Sequence, residues 1–169
     1  YSNVAGSNAT AIGYNAMRYS NNTATAFDNY NVAVGYEALR GSPNPVNNTG
    51  NYNTALGYQT LLSNTSGEYN TANGVHALRF NTTGLQNTAN GAYALNSNNT
   101  GDYNTACGVN ALYYNITGLE NAAFGRQALF TNVAGRKATA IGTNAMYYAN
   151  NTATQIDNLL MKKNQLVPF

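Results

Sequence analysis

Residues 70 to 95 read NTANGVHALRFNTTGLQNTANGAYAL, so that NTANG, two further residues and AL occur twice. The glycines of these two copies, Gly74 and Gly91, are seventeen residues apart. A chain that repeats itself at a short fixed period builds one structural unit many times, and each unit packs on its neighbours. This repeat therefore decides the fold.

The motif occurs eight times along the chain. Its glycines are Gly13, Gly35, Gly57, Gly74, Gly91, Gly108, Gly125 and Gly142. They are 22 residues apart for the first two steps and 17 for the last five, and a second glycine precedes the motif glycine by seven residues in seven copies. This period is too short for a helical hairpin, and Asn, Thr, Tyr and Gly disfavour helices. The sequence predicts an all-β parallel β-solenoid of about eight coils over residues 1–158, with two short strands per coil and glycines supplying positive φ at the corners.

Two columns of the repeat indicate what is buried. The position two before the motif glycine is always alanine: Ala11, Ala33, Ala55, Ala72, Ala89, Ala106, Ala123 and Ala140. The position one before it, here called the outward column, holds Ile12, Val34, Leu56, Asn73, Asn90, Cys107, Phe124 and Ile141. Because neighbouring side chains on a strand point to opposite faces, both faces are predicted to be buried. A narrow solenoid has one interior, so the second face requires another copy of the chain, and we expect a homo-oligomer.

Other columns are polar or variable. The position five before the motif glycine holds four tyrosines among amide and charged residues, which is typical of a solvated face; these are Tyr30, Tyr52, Tyr69 and Tyr103, here called the tyrosine stripe. An asparagine column contains Asn31, Asn53, Asn70, Asn87, Asn104 and Asn121. A threonine column beside it contains Thr54, Thr71, Thr88 and Thr105. Both columns are predicted to form hydrogen-bond ladders from coil to coil.

Composition excludes several classes of function. Charged residues make up 8% of the chain and the formal net charge is +2, without the basic stripe that nucleic-acid binding needs. The six acidic residues are dispersed, and there is one histidine, His76, and one cysteine, Cys107, so we expect no enzyme, cofactor or metal site. Cys107 is interpreted as a small core residue and His76 as a surface side chain. No run of about twenty apolar residues is present, so no membrane contact by this segment is expected.

A longer pattern overlies the coils. Residues 3–29 return at 132–158 with an offset of 129, as NVAGSNATAIGYNAM and NVAGRKATAIGTNAM show at their starts, which suggests a segment of a longer fibre. The first two coils carry five extra residues each, and Pro43 and Pro45 in the second cannot join a ladder, so projecting loops are expected. Residues 159–169 are predicted to be a C-terminal cap or the start of a stalk.

The seven-residue glycine spacing with an A-x-G core, as in SGEYNTANG and AGRKATAIG, resembles the head repeats of trimeric autotransporter adhesins of the YadA type and related trimeric phage tail-fibre segments. The resemblance covers residues 1–158. It implies a left-handed parallel β-roll, a homotrimer, an extracellular location on a bacterial surface or on a phage or injection-particle fibre, and an outer face that binds a host-surface glycan or protein. The coils are longer than is usual in that family, and its membrane anchor is missing here.

A trimer would have a consequence for Asn73 and Asn90, which are adjacent in the outward column. Around a threefold axis their amides could form rings that hold an ion or water. Alternatively, the column faces outward at those two coils.

Three functions remain open on this sequence. The first is adhesion to a host or prey cell surface through the tyrosine stripe and the loops. The second is a passive spacer that sets the reach of a longer fibre. The third is ice binding, which the threonine column favours but which the lack of an alternating threonine partner disfavours.

Overall fold

The computed structural model describes residues 6–20, 27–150 and 156–157. These residues form an all-β parallel solenoid, as predicted. About six turns, from the strand at Val32 to the strand at Ile141, are described without a gap. The proposed cap or stalk at 159–169 lies outside the described residues.

The solenoid is built around one eight-stranded parallel sheet. Its strands are Thr10–Ile12 (β2), Val32–Val34 (β4), Thr54–Leu56 (β5), Thr71–Asn73 (β6), Thr88–Asn90 (β7), Thr105–Cys107 (β8), Ala122–Phe124 (β9) and Thr139–Ile141 (β12). Pairing is in register, so that Ala72 lies over Ala89 and Asn73 over Asn90. Each repeat therefore presents the same residue type at the same place on the sheet.

The expected second strand per coil occurs only near the two ends. Gly6–Ser7 (β1) pairs with Phe27–Asp28 (β3), Thr131–Asn132 (β10) with Tyr148–Asn150 (β13), and Gly135–Arg136 (β11) with Ile156–Asp157 (β14). In the middle coils the second half is irregular, and each coil places non-glycine residues at positive φ there, such as Leu78 at 49° and His76 at 58°. Backbone bonds still join the coils there, for example from Leu78 N–H to Ala94 O at 3.0 Å.

The interior is a stack of small and medium apolar side chains. Alanines of the predicted column are fully or almost fully buried from Ala33 to Ala140, whereas Ala11 in the first strand is exposed. A leucine column four residues after the motif glycine fills the rest of the core, and Leu61, Leu78, Leu95, Leu112 and Leu129 have no exposed surface. Burying one leucine stabilises the fold by about 1.5–3 kcal/mol, so this column supplies much of the driving force.

The two glycine columns require glycine for different physical reasons. Motif glycines such as Gly91 have positive φ, here 134°, and a Cβ there would lie 2.8 Å from the backbone of Gly108. The second column was predicted to supply positive φ as well, but Gly84 does not adopt it. A Cβ on Gly84 would lie 2.4 Å from Oδ1 of Asn81 and 2.5 Å from the carbonyl oxygen of Gly101, so close packing between coils excludes a side chain.

Buried asparagines form the predicted ladder. In the column from Asn31 to Asn121, each side chain receives or donates bonds between coils, as where Asn87 Nδ2 donates to Asn70 Oδ1 at 3.1 Å and to Gly101 O at 2.8 Å. A second ladder that we did not predict runs through Asn64, Asn81, Asn98, Asn115 and Asn132. The threonine ladder is not formed: the side chains of Thr71 and Thr88 face solvent and make no bond between coils.

The second long coil carries a short loop with a 3₁₀ turn at Pro45–Asn47. Asn48 closes this loop, because its Oδ1 accepts from Ser42 N–H at 2.9 Å and its Nδ2 donates to Ser42 O at 2.9 Å. The corresponding extra residues of the first coil include 21–26, which lie outside the described residues.

Candidate binding surfaces

The tyrosine stripe is exposed, and the structure brings three of its four members together. Tyr30 and Tyr52 stack with ring centroids 5.0 Å apart, and Tyr52 and Tyr69 stack at 4.9 Å, with the rings within 4° of parallel. Tyr103 stands apart because Gln86 occupies the intervening coil. Each side chain in this column leaves a backbone with positive φ.

Stacking determines what the stripe can offer a ligand. The faces of Tyr52 are covered by its two neighbours, so this ring presents its edge and hydroxyl group to solvent. Tyr30 and Tyr69 have one stacked neighbour each. The hydroxyl of Tyr30 donates to Asp28 Oδ2 at 3.1 Å, and this hydrogen bond, with the nearby negative charge, raises the pKa of Tyr30. The hydroxyl of Tyr30 therefore stays protonated at neutral pH.

A longer set of aromatic rings, which the sequence analysis missed, runs along another side of the solenoid. Here called the aromatic row, it consists of Tyr14, Tyr36, Tyr58, His76, Tyr93, Tyr113, Phe130 and Tyr147. The row was hard to recognise because its members change column: Tyr58 follows its motif glycine directly, Tyr93 is two residues after Gly91, and Tyr113 is five after Gly108. Side chains at different positions of the repeat therefore contact one another between consecutive coils.

His76 belongs to this row and is half-buried, which corrects its interpretation as a surface side chain. Its ring lies 5.3 Å from Tyr58 and 5.0 Å from Tyr93, and neither ring nitrogen has a hydrogen-bond partner. Burial, with a smaller contribution from the Arg79 charge, lowers the pKa of His76.

The aromatic row opens into a groove of about 430 Å³, here called the aromatic groove. It is lined by Ala92, Tyr93, Val109, Asn110, Tyr113, Tyr114, Gln127 and Phe130. Burial raises the pKa of Tyr113, with a smaller contribution from Tyr114, so its hydroxyl also stays protonated at neutral pH.

The outward column lies on the outer face of the single chain, and burial of this face by another copy stays a prediction. Apart from the half-buried Val34, its side chains are exposed, with Ile12 at 59%, Phe124 at 42% and Ile141 at 75% of full accessibility. Cys107, interpreted as a core residue, is exposed in the same column. The physical reason is that one coil encloses only the alanine side of each strand. The outward column is thus a partly apolar stripe along the rod.

Asn73 and Asn90 interrupt this stripe and contact each other. Asn73 Nδ2 donates to Asn90 Oδ1 at 3.3 Å, and both side chains are exposed. The bond leaves Asn73 Oδ1 and the amide hydrogens of Asn90 available to another group.

Glu37 is a buried acid. Burial alone would raise its pKa, but hydrogen bonds from Gln59 at 2.7 Å and Arg40 at 2.9 Å outweigh burial, so the pKa of Glu37 is lowered. The bond from Gln59 ties neighbouring coils together.

Among the described residues, no group of three or more His, Cys, Asp and Glu side chains could hold a metal ion. Among the same residues, no helix has the length and apolar character to cross a membrane. Comparisons with known proteins add no relative: no family model, no curated protein and no solved structure matches the chain.

Proposed function

We propose that this chain is a segment of a non-enzymatic, extracellular fibre in which three copies pack as left-handed β-rolls of about eight coils. In this proposal the fibre belongs to a bacterial surface, a phage or an injection particle. Its outer face attaches to a host or prey cell surface through a glycan or a surface protein. The observation that carries the proposal is the exposed, partly apolar outward column of an all-parallel sheet.

Physical reasons support a partner on that column. All-parallel sheets occur almost only with both faces covered, whereas here one face of the sheet carries Ile12, Phe124 and Ile141 into solvent. Contiguous exposed apolar stripes mark interaction sites. A second copy offers the matching stripe with the same coil spacing, so copies aligned side by side bury one column against another.

Asn73 and Asn90 then acquire a role in the same assembly. Polar groups that become buried need hydrogen-bond partners, and the two amides retain free donors and acceptors toward the outside of the chain. Copies arranged around an axis would supply them, either directly or through a shared water or ion.

The adhesive part of the proposal rests on the tyrosine stripe. Tyr30, Tyr52 and Tyr69 form an exposed, rigid row of edges and hydroxyls, and tyrosine contributes much contact area at low entropic cost. Tyr103 extends the row two coils beyond Tyr69. The regular spacing of these groups suits a ligand that lies along the rod.

Two other functions compete with adhesion. A passive spacer needs the same rigid stack and no ligand. Ice binding is favoured by one observation, the exposed and in-register threonines Thr71 and Thr88 on a parallel sheet. The same sheet face also carries Leu56 and Phe124, whose size makes it uneven.

The adhesion test uses the whole chain coupled to beads, with a glycan array and immobilised matrix proteins as probes. Adhesion predicts binding to at least one probe, and a loss of at least fivefold in the Tyr52→Ala/Tyr69→Ala variant. Tyr148→Ala, which removes an exposed tyrosine outside the stripe, serves as the matched control and should bind normally. Absence of binding to every probe would favour the spacer, and thermal hysteresis at micromolar protein would favour ice binding.

A further inference from the structure

The aromatic groove exists because the aromatic row changes column at this point. Ring centroids along the row are 4.7 to 5.3 Å apart except between Tyr93 and Tyr113, where the separation is 6.3 Å. The position that would continue the column of Tyr93 is held by Asn110. An amide in place of a ring leaves the space between the two tyrosines open.

Tyr114 stands at the side of this space with its ring faces unstacked. It packs edge to face against Tyr113 at 4.5 Å and against Phe130 at 5.3 Å, with interplanar angles of 73° and 89°. Its side chain is 44% exposed. Unlike Tyr52 of the tyrosine stripe, it has no parallel ring stacked on either face.

The polar groups of the groove are the hydroxyls of its three tyrosines and two side-chain amides without partners in the described chain. Neither Asn110 nor Gln127 has a side-chain hydrogen bond there, whereas Gln59, in the same column of the repeat, donates to Glu37 at 2.7 Å. No charged side chain lines the groove. The lining therefore combines ring faces with free amide donors and acceptors and has no net charge.

We propose that the aromatic groove binds a neutral oligosaccharide, an inference that rests on the proposed adhesive function and names its ligand class. A pyranose ring has one face of weakly positive C–H groups, which the negative face of an aromatic ring attracts. Its hydroxyls donate and accept, and so satisfy both atoms of each amide. A proline-rich peptide supplies mostly acceptors to the groove and would leave the amide oxygens unpaired. The groove volume of about 430 Å³ lies within the usual range for ligand sites.

The first experiment screens the whole chain against an array of neutral oligosaccharides, with sialylated and sulfated glycans and a polyproline peptide alongside. The strongest neutral binder is then titrated by calorimetry. We expect binding that falls at least fivefold in Tyr114→Ala and at least threefold in Gln127→Ala. Tyr148→Ala is the control, since Tyr148 packs on Tyr147 at 4.5 Å and 75°, in nearly the same geometry outside the groove.

The outcomes of this experiment distinguish oligosaccharide binding in the aromatic groove from adhesion by the chain as a whole. Weaker oligosaccharide binding by Tyr114→Ala and Gln127→Ala, with normal binding by Tyr148→Ala, supports the aromatic groove as the binding site, even if the chain binds no cell surface. Binding that depends on Tyr52 and Tyr69 but not on Tyr114 would contradict oligosaccharide binding by the aromatic groove and would still support adhesion through the tyrosine stripe. Binding only to charged glycans or to polyproline, or no binding to any neutral glycan, would also contradict oligosaccharide binding by the aromatic groove. Thermal unfolding of each variant checks that the solenoid remains folded.

Discussion

The backbone N–H and the side-chain amide of Asn70 both donate to Oδ1 of Asn53, one coil earlier, at 3.0 and 3.1 Å. Asn70 Nδ2 also donates to the carbonyl oxygen of Gly84 at 2.9 Å. Its own Oδ1 accepts two bonds in turn from Asn87. Both donors and both acceptor sites of the amide are therefore satisfied inside a fully buried column. No other side chain of this size has the same set of donors and acceptors.

Replacing one member of this ladder should be costly. In Asn87→Ala, the backbone N–H of Asn104 loses its acceptor inside the core, and the side-chain amide of Asn104 loses one of its two acceptors. The carbonyl of Gly101 keeps only its bond from Asn98. Leaving buried polar groups unsatisfied costs about 1–3 kcal/mol each, so the free energy of unfolding should fall by about 3 kcal/mol. Urea denaturation followed by circular dichroism measures it.

Asn90→Ala is the control for that substitution. Asn90 lies three residues after Asn87 in the same coil, but it is exposed and makes a single bond between coils at 3.3 Å. Its replacement should change stability by less than about 0.5 kcal/mol in the single chain. Equal losses in the two variants would contradict the assignment of stability to the buried ladder.

At the motif glycines, the cost in stability of a steric clash can be measured separately from the cost of an unfavourable backbone conformation. Gly91 and Gly142 have similar φ values of 134° and 119°, but a Cβ at Gly91 would meet Gly108 at 2.8 Å and a Cβ at Gly142 meets nothing within 4 Å. We expect Gly142→Ala to cost about 1–2 kcal/mol from conformation alone, and Gly91→Ala to cost clearly more. Melting temperatures of the two variants provide the comparison, and a smaller effect at Gly91 would contradict close coil packing.

The leucine column should behave as the main apolar core. Leu95 has no exposed surface, so Leu95→Ala should destabilise the fold by about 2–5 kcal/mol through lost burial and a cavity. Leu85→Ala is the control because Leu85 is 36% exposed, and it should have little effect. If both variants unfolded at the same denaturant concentration, the core would not lie where we describe it.

Stability should fall in mild acid because of His76. Its pKa is lowered in the folded chain, so as pH drops below the ordinary histidine value of about 6.5, the unfolded state takes up the proton first. The stability that the fold gains with His76 unprotonated is therefore complete above pH about 6.5 and is lost as the pH falls below it. The pKa of Glu37 is also lowered in the folded chain, so its contribution to stability is lost as well in acid, but only when the pH falls below the ordinary value of 4.5.

His76→Gln isolates the histidine effect. Glutamine occurs at the equivalent positions Gln59 and Gln127, so the backbone with positive φ accepts it. The melting temperature of the parent chain should decrease between pH 7.5 and pH 5.5, and that of the variant should change less. A parallel decrease in both would assign the pH dependence to other groups.

The sequence was sufficient to predict the solenoid, the buried alanines and the first asparagine ladder, because each depends on a residue that recurs at one place in the repeat. Features that join different columns were missed. The aromatic row passes from Tyr93 to Tyr113 across two columns, and no single period contains it. His76 is half-buried because the rings of Tyr58 and Tyr93 in the neighbouring coils pack against it, which its own position in the repeat does not indicate. Cys107 belongs to the outward column, which a single coil does not enclose.

The most direct test of the central claim is the solution mass of the chain, measured by light scattering after size exclusion. The exposed outward column with Ile12, Phe124 and Ile141 predicts a trimer of about 54 kDa, three times the chain mass of 18.0 kDa. The variant Phe124→Asp should shift that mass toward the single chain. A parent mass of 18 kDa would contradict a shared interface and would leave a monomeric solenoid with an open flat face.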